Sequence, residues 1–292
     1  MGKRKKHTRN ISGYILCALV FFVIGGTIFC MVADARENAR IQARIQAEEQ
    51  AEKEKKAAEE AKVKERIEAN SVRPGVPVGT LEPDMDEKAV YLTFDDGPSE
   101  ITRKVLDILD SYGIKATFFI TGANEKYRPL IKEAHDKGHT IGLHTYSHDY
   151  KSVYSSEEAY FRDLEKVGKV AEEQIGYVPC FIRFPGGSSN MVSAQYSPGI
   201  MSRLVEAVQR RGYQYYDWNV DSGDGAGYGK EQIEAGSMTD QYHHSMILFH
   251  DAPNKADTAE ALPQVIEYYK NLGYEFRPIT RESFVSHHAV LN

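Results

Sequence analysis

Residues 89–113, AVYLTFDDGPSEITRKVLDILDSYG, contain the pattern that decides the fold. A β-prone run, AVYLTF (89–94), leads through a DDGP turn into a segment with helical spacing of its apolar residues. The turn is unusual because two like charges, Asp95 and Asp96, stand side by side where one Asp before Gly would be enough. Two explanations are open at this point. The second carboxylate is incidental to an ordinary turn, or the two aspartates form a functional pair.

The same alternation of strand-like and helix-like segments continues along the chain. Further β-prone runs occupy 115–120, 139–144, 179–184, 213–220, 245–250 and 274–279, and helical spacing marks 101–113, 156–176 and 258–273. This alternation predicts an α/β fold with a parallel sheet, and seven strands permit a barrel. Since chemistry in such folds lies at the carboxyl ends of the strands, a functional site is expected there.

Ionisable residues stand at the ends of five of these predicted strands. They are Asp95 and Asp96, His144 and His148, Arg183, Asp221 and Asp224, and His250 and Asp251. Each has an ordinary explanation by itself: H-x3-H is a weak metal signal, an arginine can lie on the surface, and a histidine can be buried. Five such groups on one rim of a barrel are hard to explain by chance and indicate a site.

Two imidazoles and one carboxylate would make a three-ligand metal site with an open position for water or substrate. Such a metal polarises a carbonyl group and lowers the pKa of its bound water. A second carboxylate that is not a ligand is then needed as general base. An adjacent Asp pair at a strand end can supply one ligand and one base, with a cation and a nearby arginine offsetting the repulsion.

Five stretches, taken in order, resemble the motifs of the polysaccharide deacetylases, also called carbohydrate esterase family 4 or the NodB-homology domain. They are TFDDGP (93–98), HTYSH (144–148), RFPGG (183–187), DSGD (221–224) and LFH (248–250). The resemblance covers about residues 86–280. It implies a distorted (β/α) barrel of about seven strands and a metal-dependent hydrolase that removes acetyl groups from sugars, mostly from N-acetylglucosamine polymers.

The resemblance also implies a role for each matching residue. Asp96, His144 and His148 would bind the metal, usually zinc, although such ligands also accept Co²⁺ or Ni²⁺. Asp95 would be the general base and His250 the general acid. Arg183 would orient Asp95, and Asp224 would hold Arg183. The Gly186 amide would stabilise the oxyanion, and Leu248 would line the pocket for the acetyl methyl group.

Two positions depart from the family's commonest pattern. Gly186 stands where an aromatic residue often follows the proline of the third motif, and Gly225 stands where Trp often follows the last Asp of the fourth. A backbone amide is available from glycine as from any residue, so the oxyanion role is kept. The groove is expected to be more open, and the sugar specificity is less defined than the reaction.

The amino-terminal segment predicts a membrane location. Residues 1–10 hold five Lys or Arg and no acid. Because the whole chain has a net charge of −6, the remaining residues carry a net charge of −11. Residues 11–32 contain no charged side chain and are long enough to cross a bilayer. The basic tail predicts a cytoplasmic amino terminus and an extracellular catalytic domain. Ala33-Asp34-Ala35 offers a signal cleavage pattern, but the apolar run is longer than a signal peptide needs, so a retained anchor at 11–33 is favoured.

Between this anchor and the catalytic domain (86–292), the sequence predicts a helical stalk and a linker. Residues 34–70 are nearly all strong helix formers, with recurring i,i+4 Glu/Lys pairs. Four large apolar residues are too few for a sustained coiled-coil seam, although self-association of the stalk stays open. Residues 71–85, with three Pro and two Gly, predict a linker.

The leading hypothesis is therefore a membrane-anchored deacetylase of cell-wall glycan, most simply of N-acetylglucosamine in peptidoglycan. A second enzymatic interpretation places the acetyl group on chitooligosaccharide, another exopolysaccharide or O-acetylated xylan. A third, of a different class, is a non-catalytic glycan-binding wall protein, against which the intact ionisable residues of the motifs argue. The acidic remainder of the chain argues against a nucleic-acid partner.

Overall fold

The computed structural model describes residues 8–84, 86–122 and 124–292, and it divides into a unit that ends at Lys64 and a unit from Glu65 to Asn292. Helix α1 (Thr8–Asn70) includes the whole of the predicted anchor (11–33) and of the predicted stalk (34–70). Within the described residues it is the one helix long and apolar enough to cross a membrane, and its side chains from Tyr14 to Val32 are exposed. Residues 1–7, most of the predicted basic tail, lie outside the described part.

The second unit is built on a curled sheet in which every strand pairing is parallel. Its strands are β1 (Ala89–Asp95), β2 (Thr117–Ile120), β3 (Thr140–Leu143), β4 (Phe181–Ile182), β5 (Gln214–Tyr215), β6 (Val220–Asp221), β7 (His244–His250) and β8 (Glu275–Phe276). Seven of them follow one another in the order β5-β4-β3-β2-β1-β7-β6, and β8 pairs with β1 outside this path. The predicted α/β class and distorted barrel are confirmed.

Helices connect most of the strands, as the alternating pattern predicted. They are α2 (Glu100–Tyr112), α3 (Pro129–Asp136), α4 (Tyr150–Val153), α5 (Glu157–Ile175), α6 (Ile200–Arg210), α7 (Lys230–Ser237) and α8 (Ala256–Asn271). Three short 3-10 helices cover Glu125–Tyr127, Val192–Gln195 and Asp224–Ala226. Helices α2, α5 and α8 match the three segments whose helical spacing was read from the sequence.

The β1–α2 unit shows how the opening sequence folds. All seven residues of β1 are buried, because the strand lies between β2 and β7 in the sheet. The Ser99 hydroxyl accepts a hydrogen bond from the Ile101 amide, and the Ser99 amide donates to Thr102, which caps the start of α2. Gly113, with φ of 68°, ends the helix in the left-handed conformation. Helix α2 is thereby capped at both ends.

The predicted strand at 213–220 forms two strands rather than one. Its first part is β5 and its last residue begins β6, and these lie at opposite edges of the seven-strand path. The buried carboxylate of Asp217 between them accepts hydrogen bonds from the amides of Ser188 and His288, both at 2.8 Å. These contacts hold the chain out of the regular sheet, so the four residues between the two strands join its two edges.

The predicted linker packs against the second unit instead of separating it from the stalk. The Thr80 amide donates to the Ser283 carbonyl oxygen, and the Val285 amide donates back to Thr80, each at 2.9 Å. The Arg281 guanidinium donates to the carbonyl oxygens of Ala69, Ser71 and Pro77. Carbonyl groups that a free linker would leave to water are satisfied here by protein. The folded unit accordingly begins at Glu65 and not near Asp86.

Candidate active site

The predicted site residues lie along one edge of the sheet. Because all strands are parallel, their carboxyl ends meet at the same edge, where β1 ends at Asp95 and β7 ends at His250. These two residues are direct partners in the β1–β7 register. His144 follows the last residue of β3, and Arg183 follows the last residue of β4. Sequence-distant residues are thus assembled by strand pairing.

Asp95 and Arg183 form a buried ion pair at this edge. The Arg183 Nη1 atom lies 3.0 Å from Asp95 Oδ1, and the two side chains are 0% and 4% exposed. A buried charge pair needs good geometry and further hydrogen bonds to offset the loss of hydration. Arg183 makes three such further hydrogen bonds.

The Arg183 guanidinium is held on all sides. Its Nη1 also donates to Thr93 Oγ1 at 2.7 Å, and its Nε and Nη2 donate to the carbonyl oxygens of Tyr216 and Asp217 at 2.8 and 3.0 Å. The Phe119 ring lies 4.3 Å from the guanidinium carbon, which adds a cation–π contact. The arginine is therefore a fixed group that sets the direction of the Asp95 carboxylate.

Asp96, His144 and His148 form a second cluster beside this pair. Asp96 Oδ1 lies 3.6 Å from His144 Nε2 and 3.4 Å from His148 Nε2. One ligand atom from each residue falls within 4.8 Å of the others. His144 is buried, while Asp96 and His148 are partly exposed at the mouth of the site. Two imidazole nitrogens and a carboxylate oxygen converge on a position open to one side.

Several features of this cluster fit a divalent cation. Among the described residues, the buried Asp96 Oδ1 atom has no hydrogen-bond partner. His144 Nδ1 lies 2.7 Å from the Arg183 carbonyl oxygen, so this nitrogen carries the proton and Nε2 presents its lone pair to the cluster. Burial lowers the pKa of His144, which favours the neutral form that a metal needs. Asp96 and His148 adopt φ of 72° and 51°, a strained conformation typical of functional positions.

Asp224 contacts His250, which corrects the predicted contact with Arg183. Its Oδ1 lies 2.7 Å from His250 Nδ1, and its Oδ2 accepts from the His250 amide at 2.7 Å and from Thr258 Oγ1 at 2.8 Å. The donors of Arg183 are directed instead to Asp95, Thr93 and two carbonyl oxygens. The reason is the split at 213–220, which places β6 and the loop after it beside β7, away from β4.

The Asp224 carboxylate determines the charge of His250. Burial alone would lower the pKa of His250, but the hydrogen bond from Nδ1 and the negative charge of Asp224 outweigh it and raise this pKa to about 9. Burial tends to raise the pKa of Asp224, but His250 and Thr258 bring it below its usual value. The pair is therefore an imidazolium beside a carboxylate at neutral pH, with Nε2 of His250 left as a proton donor.

Comparisons with known proteins point to the same unit. A family model described as polysaccharide deacetylase matches residues 82–199. A peptidoglycan-N-acetylglucosamine deacetylase of Bacillus cereus is 30% identical over 236 residues, covering 76% of this chain and 82% of the relative. The chain belongs to the polysaccharide deacetylase family.

Solved structures agree with this assignment. The catalytic domain of a peptidoglycan N-acetylglucosamine deacetylase from Eubacterium rectale is 42% identical, covers 77% of this chain and 98% of that domain, and superposes with a TM-score of 0.68. A polysaccharide deacetylase from Bacillus cereus is 32% identical, covers 70% and 96%, and gives a TM-score of 0.57. This deacetylase is thus a hydrolase of a family that acts on amide-linked acetyl groups.

The two remaining predicted residues of the deacetylase, Gly186 and Leu248, also lie at the carboxyl ends of strands. Leu248 is buried in β7, two residues before His250. Gly186 is exposed with φ of 75°, and its amide donates to no acceptor among the described residues. A side chain at Gly225 would approach His250 Cε1 at 3.1 Å. Neither position carries a large side chain, and the more open groove expected from this stays a prediction.

Several residues that contact the site were not predicted from the sequence, among them Thr93, Asp217 and Thr258. Thr93 and Asp217 hold Arg183, and Thr258 holds Asp224. Thr93 lies inside the TFDDGP stretch, so its position two residues before Asp95 was a signal that could have been used, because alternate strand residues share a face. Asp217 and Thr258 carry no local signal, since their contacts depend on how distant segments pack.

Proposed function

We propose that this chain is a membrane-anchored, metal-dependent deacetylase that removes the N-acetyl group from N-acetylglucosamine in peptidoglycan. One observation carries the proposal: a carboxylate held by a buried arginine and an imidazolium held by a buried carboxylate lie at adjacent strand ends, beside a cluster of two imidazoles and a carboxylate. Amide hydrolysis needs a base for water and an acid for the departing nitrogen, and these two pairs supply them.

Asp95 is the proposed general base. Arg183 fixes the direction of the Asp95 carboxylate. The next residue in the chain is Asp96, the proposed metal ligand, whose carboxylate lies beside His144. Asp95 accepts a proton from the attacking water as the oxygen bonds to the carbonyl carbon of the acetyl group. The adjacency of the two aspartates then has a function, because it sets the base one residue from the ligand.

Asp96, His144 and His148 are the residues that would hold the cation, proposed to be Zn²⁺ with Co²⁺ or Ni²⁺ as alternatives. A bound divalent ion of this kind polarises a carbonyl and lowers the pKa of water. On the protein side, the Gly186 amide, which has no acceptor among the described residues, would donate to the acetyl oxygen as negative charge develops on it. Leu248 offers an apolar contact for the methyl group.

His250 is the proposed general acid. Its Nε2 proton passes to the sugar nitrogen as the carbon–nitrogen bond breaks, which releases acetate and leaves a free amine on the sugar. Asp224 keeps the imidazole protonated beforehand and in one orientation throughout. A proton donor with a pKa above 7 is protonated, and so able to act as an acid, at neutral pH.

The substrate and location rest on different support. Several similar proteins are named as peptidoglycan N-acetylglucosamine deacetylases, among them the two described above. The apolar part of α1, with basic residues before it, favours a single-pass anchor whose catalytic domain lies outside the cell. A helical stalk of about 55 Å would let the domain reach glycan beyond the membrane surface.

The test is acetate release from purified peptidoglycan by the full-length chain in detergent, with mass analysis of the glycan fragments. The expected result is the loss of one acetyl group per modified glucosamine, abolished by a chelator, restored by Zn²⁺, and absent in Asp95→Asn. Parallel assays on chitooligosaccharide and acetylated xylan identify the preferred polymer. Glycan binding without acetate release under Zn²⁺, Co²⁺ and Ni²⁺ would instead support the non-catalytic alternative.

A further inference from the structure

Tyr150 occupies a position beside the metal cluster that the proposed mechanism does not use. It is the first residue of α4, two residues after His148, and it is half-buried. Its ring meets the His148 ring edge to face at 5.8 Å and the Tyr154 ring at 5.5 Å. The ring is therefore held between a predicted ligand and a buried core residue.

The Tyr150 hydroxyl fills the space beside Gly186. A Cβ atom built on Gly186 would lie 2.6 Å from this hydroxyl oxygen, closer than such atoms approach. Gly186 is the position at which the sequence lacks the aromatic side chain common in related proteins. The tyrosine thus brings an aromatic ring to the same wall of the site from a different segment of the chain.

The hydroxyl is available to a ligand. Within the described residues it has no hydrogen-bond partner, whereas the nearby Tyr154 hydroxyl donates to the Pro185 carbonyl oxygen at 2.8 Å. The Gly186 amide next to the Tyr150 hydroxyl is likewise without a protein acceptor in the described part of the chain.

We propose that Tyr150 is a substrate-positioning residue: its ring forms the groove wall left open at Gly186, and its hydroxyl donates a hydrogen bond to a sugar hydroxyl next to the acetamide group. The inference rests on the proposed function, because it assumes that the acetyl oxygen faces the Gly186 amide. With the acetamide placed there, the polar groups on the two adjacent ring carbons are the C3 hydroxyl and the glycosidic oxygen. They are the chemistry that a lone phenol recognises.

The test compares Tyr150→Phe with the parent in the full-length chain, using peptidoglycan fragments and 4-nitrophenyl acetate, which carries no sugar. The expected result is a KM for the glycan raised about 2- to 10-fold at nearly constant kcat, with no change on the aryl ester. Tyr242→Phe is the control, since Tyr242 is exposed just before the amino end of β7, opposite the site. It should leave both activities unchanged.

A double-mutant cycle tests the contact with Gly186. Gly186→Ala should reduce glycan turnover strongly in the parent and less in the Tyr150→Ala background, because the clash with the hydroxyl is then gone. The strain of a positive φ at position 186 is the same in both backgrounds and cancels.

Three results would overturn the inference. They are an unchanged glycan KM in Tyr150→Phe, an equal loss on both substrates, which would indicate distortion of His148, and additive effects in the cycle. A parent enzyme that cleaves the aryl ester but no glycan would overturn the proposed function and this inference together. A parent that deacetylates glycan with the same KM as Tyr150→Phe would overturn the inference alone.

Discussion

The Oδ1 atom of Asp224 lies 2.7 Å from Nδ1 of His250, and its Oδ2 atom lies 2.7 Å from the His250 amide nitrogen. One buried carboxylate therefore holds both the ring and the backbone of this histidine. The contact keeps a positive imidazolium in a buried position, where burial alone would expel the proton. Asp224 is the largest of the groups that raise the pKa of the proposed general acid, and Asp95 and Asp96 act in the same direction.

Asp224→Asn should shift the alkaline limb of the pH–rate profile to lower pH. In the parent, His250 is protonated below a pKa of about 9 and loses its proton as the pH rises through that value. Without the carboxylate, the hydrogen bond and the nearest negative charge are lost while burial still disfavours the proton, so the pKa is lower than in the parent. We expect kcat on glycan to drop about 10²-fold at pH 8, with a smaller loss at pH 6.

The matched control is Asp221→Asn on the same loop. Asp221 is exposed, and its carboxylate accepts only from the Gly223 amide among the described residues. This variant should keep the parent profile. A profile of Asp224→Asn that is lowered equally at every pH would contradict the assignment of His250 as an acid tuned by Asp224.

Arg183→Met should destabilise the catalytic unit by about 3–5 kcal/mol, because it leaves the buried Asp95 carboxylate without a partner. In an Asp95→Asn background the same substitution should cost at least about 1 kcal/mol less, since no buried charge is then left unpaired. Urea unfolding of the four proteins measures both differences. Additive costs would show that the two side chains contribute independently.

Zn²⁺ should raise the unfolding temperature of chelator-treated protein, independently of any activity. A ligand present at 100 times its Kd stabilises the folded state by about 2.7 kcal/mol. Asp96→Asn should remove most of the response while preserving the fold, because asparagine tolerates the left-handed conformation that Asp96 adopts. His243→Ala, at an exposed histidine away from the cluster, should respond like the parent. Equal zinc responses in all three proteins would exclude Asp96 as a ligand.

In chelator-treated, metal-free protein, Asp251→Asn should raise the free energy of unfolding relative to the parent, and this gain should grow as the pH rises. Burial raises the pKa of Asp251 to about 7, with smaller effects of Asp96 and Asp95 in the same direction, while Thr102 acts against them. A carboxyl group with a raised pKa contributes stability at low pH that is lost as the pH rises through the folded value. The stability difference between Asp251→Asn and the parent should therefore grow by a few kcal/mol from pH 4 to pH 8.

Asp257→Asn, at an exposed acid near the start of α8, is the control for that measurement. Its stability should follow the parent at both pH values. Chemical unfolding at matched ionic strength separates the two variants. A constant difference between Asp251→Asn and the parent would mean that Asp251 is ionised throughout the range.

Local sequence determined where the strands end and what stands there. The β-prone run at 89–94, the Ser99 cap and Gly113 are short-range signals, and they place Asp95 and Asp96 at a strand end without knowledge of the rest of the chain. The rule that parallel strands present their carboxyl ends on one edge then brings in His144, Arg183 and His250. Residue types and their order indicate a metal site with a general base, and the removal of acetyl groups is what the resemblance to the polysaccharide deacetylases implies.

Tertiary structure alone decided which of these groups touch. Asp224 pairs with His250 and not with Arg183 because the chain divides at 216–219 and delivers β6 to the edge of β7, and no local pattern records the order of strands in a sheet. The contact of Tyr150 with the space at Gly186 and the attachment of residues 71–84 by Arg281 likewise join segments far apart in sequence. Such contacts are chosen by packing of the whole unit, since their free energy is gained only when distant segments meet.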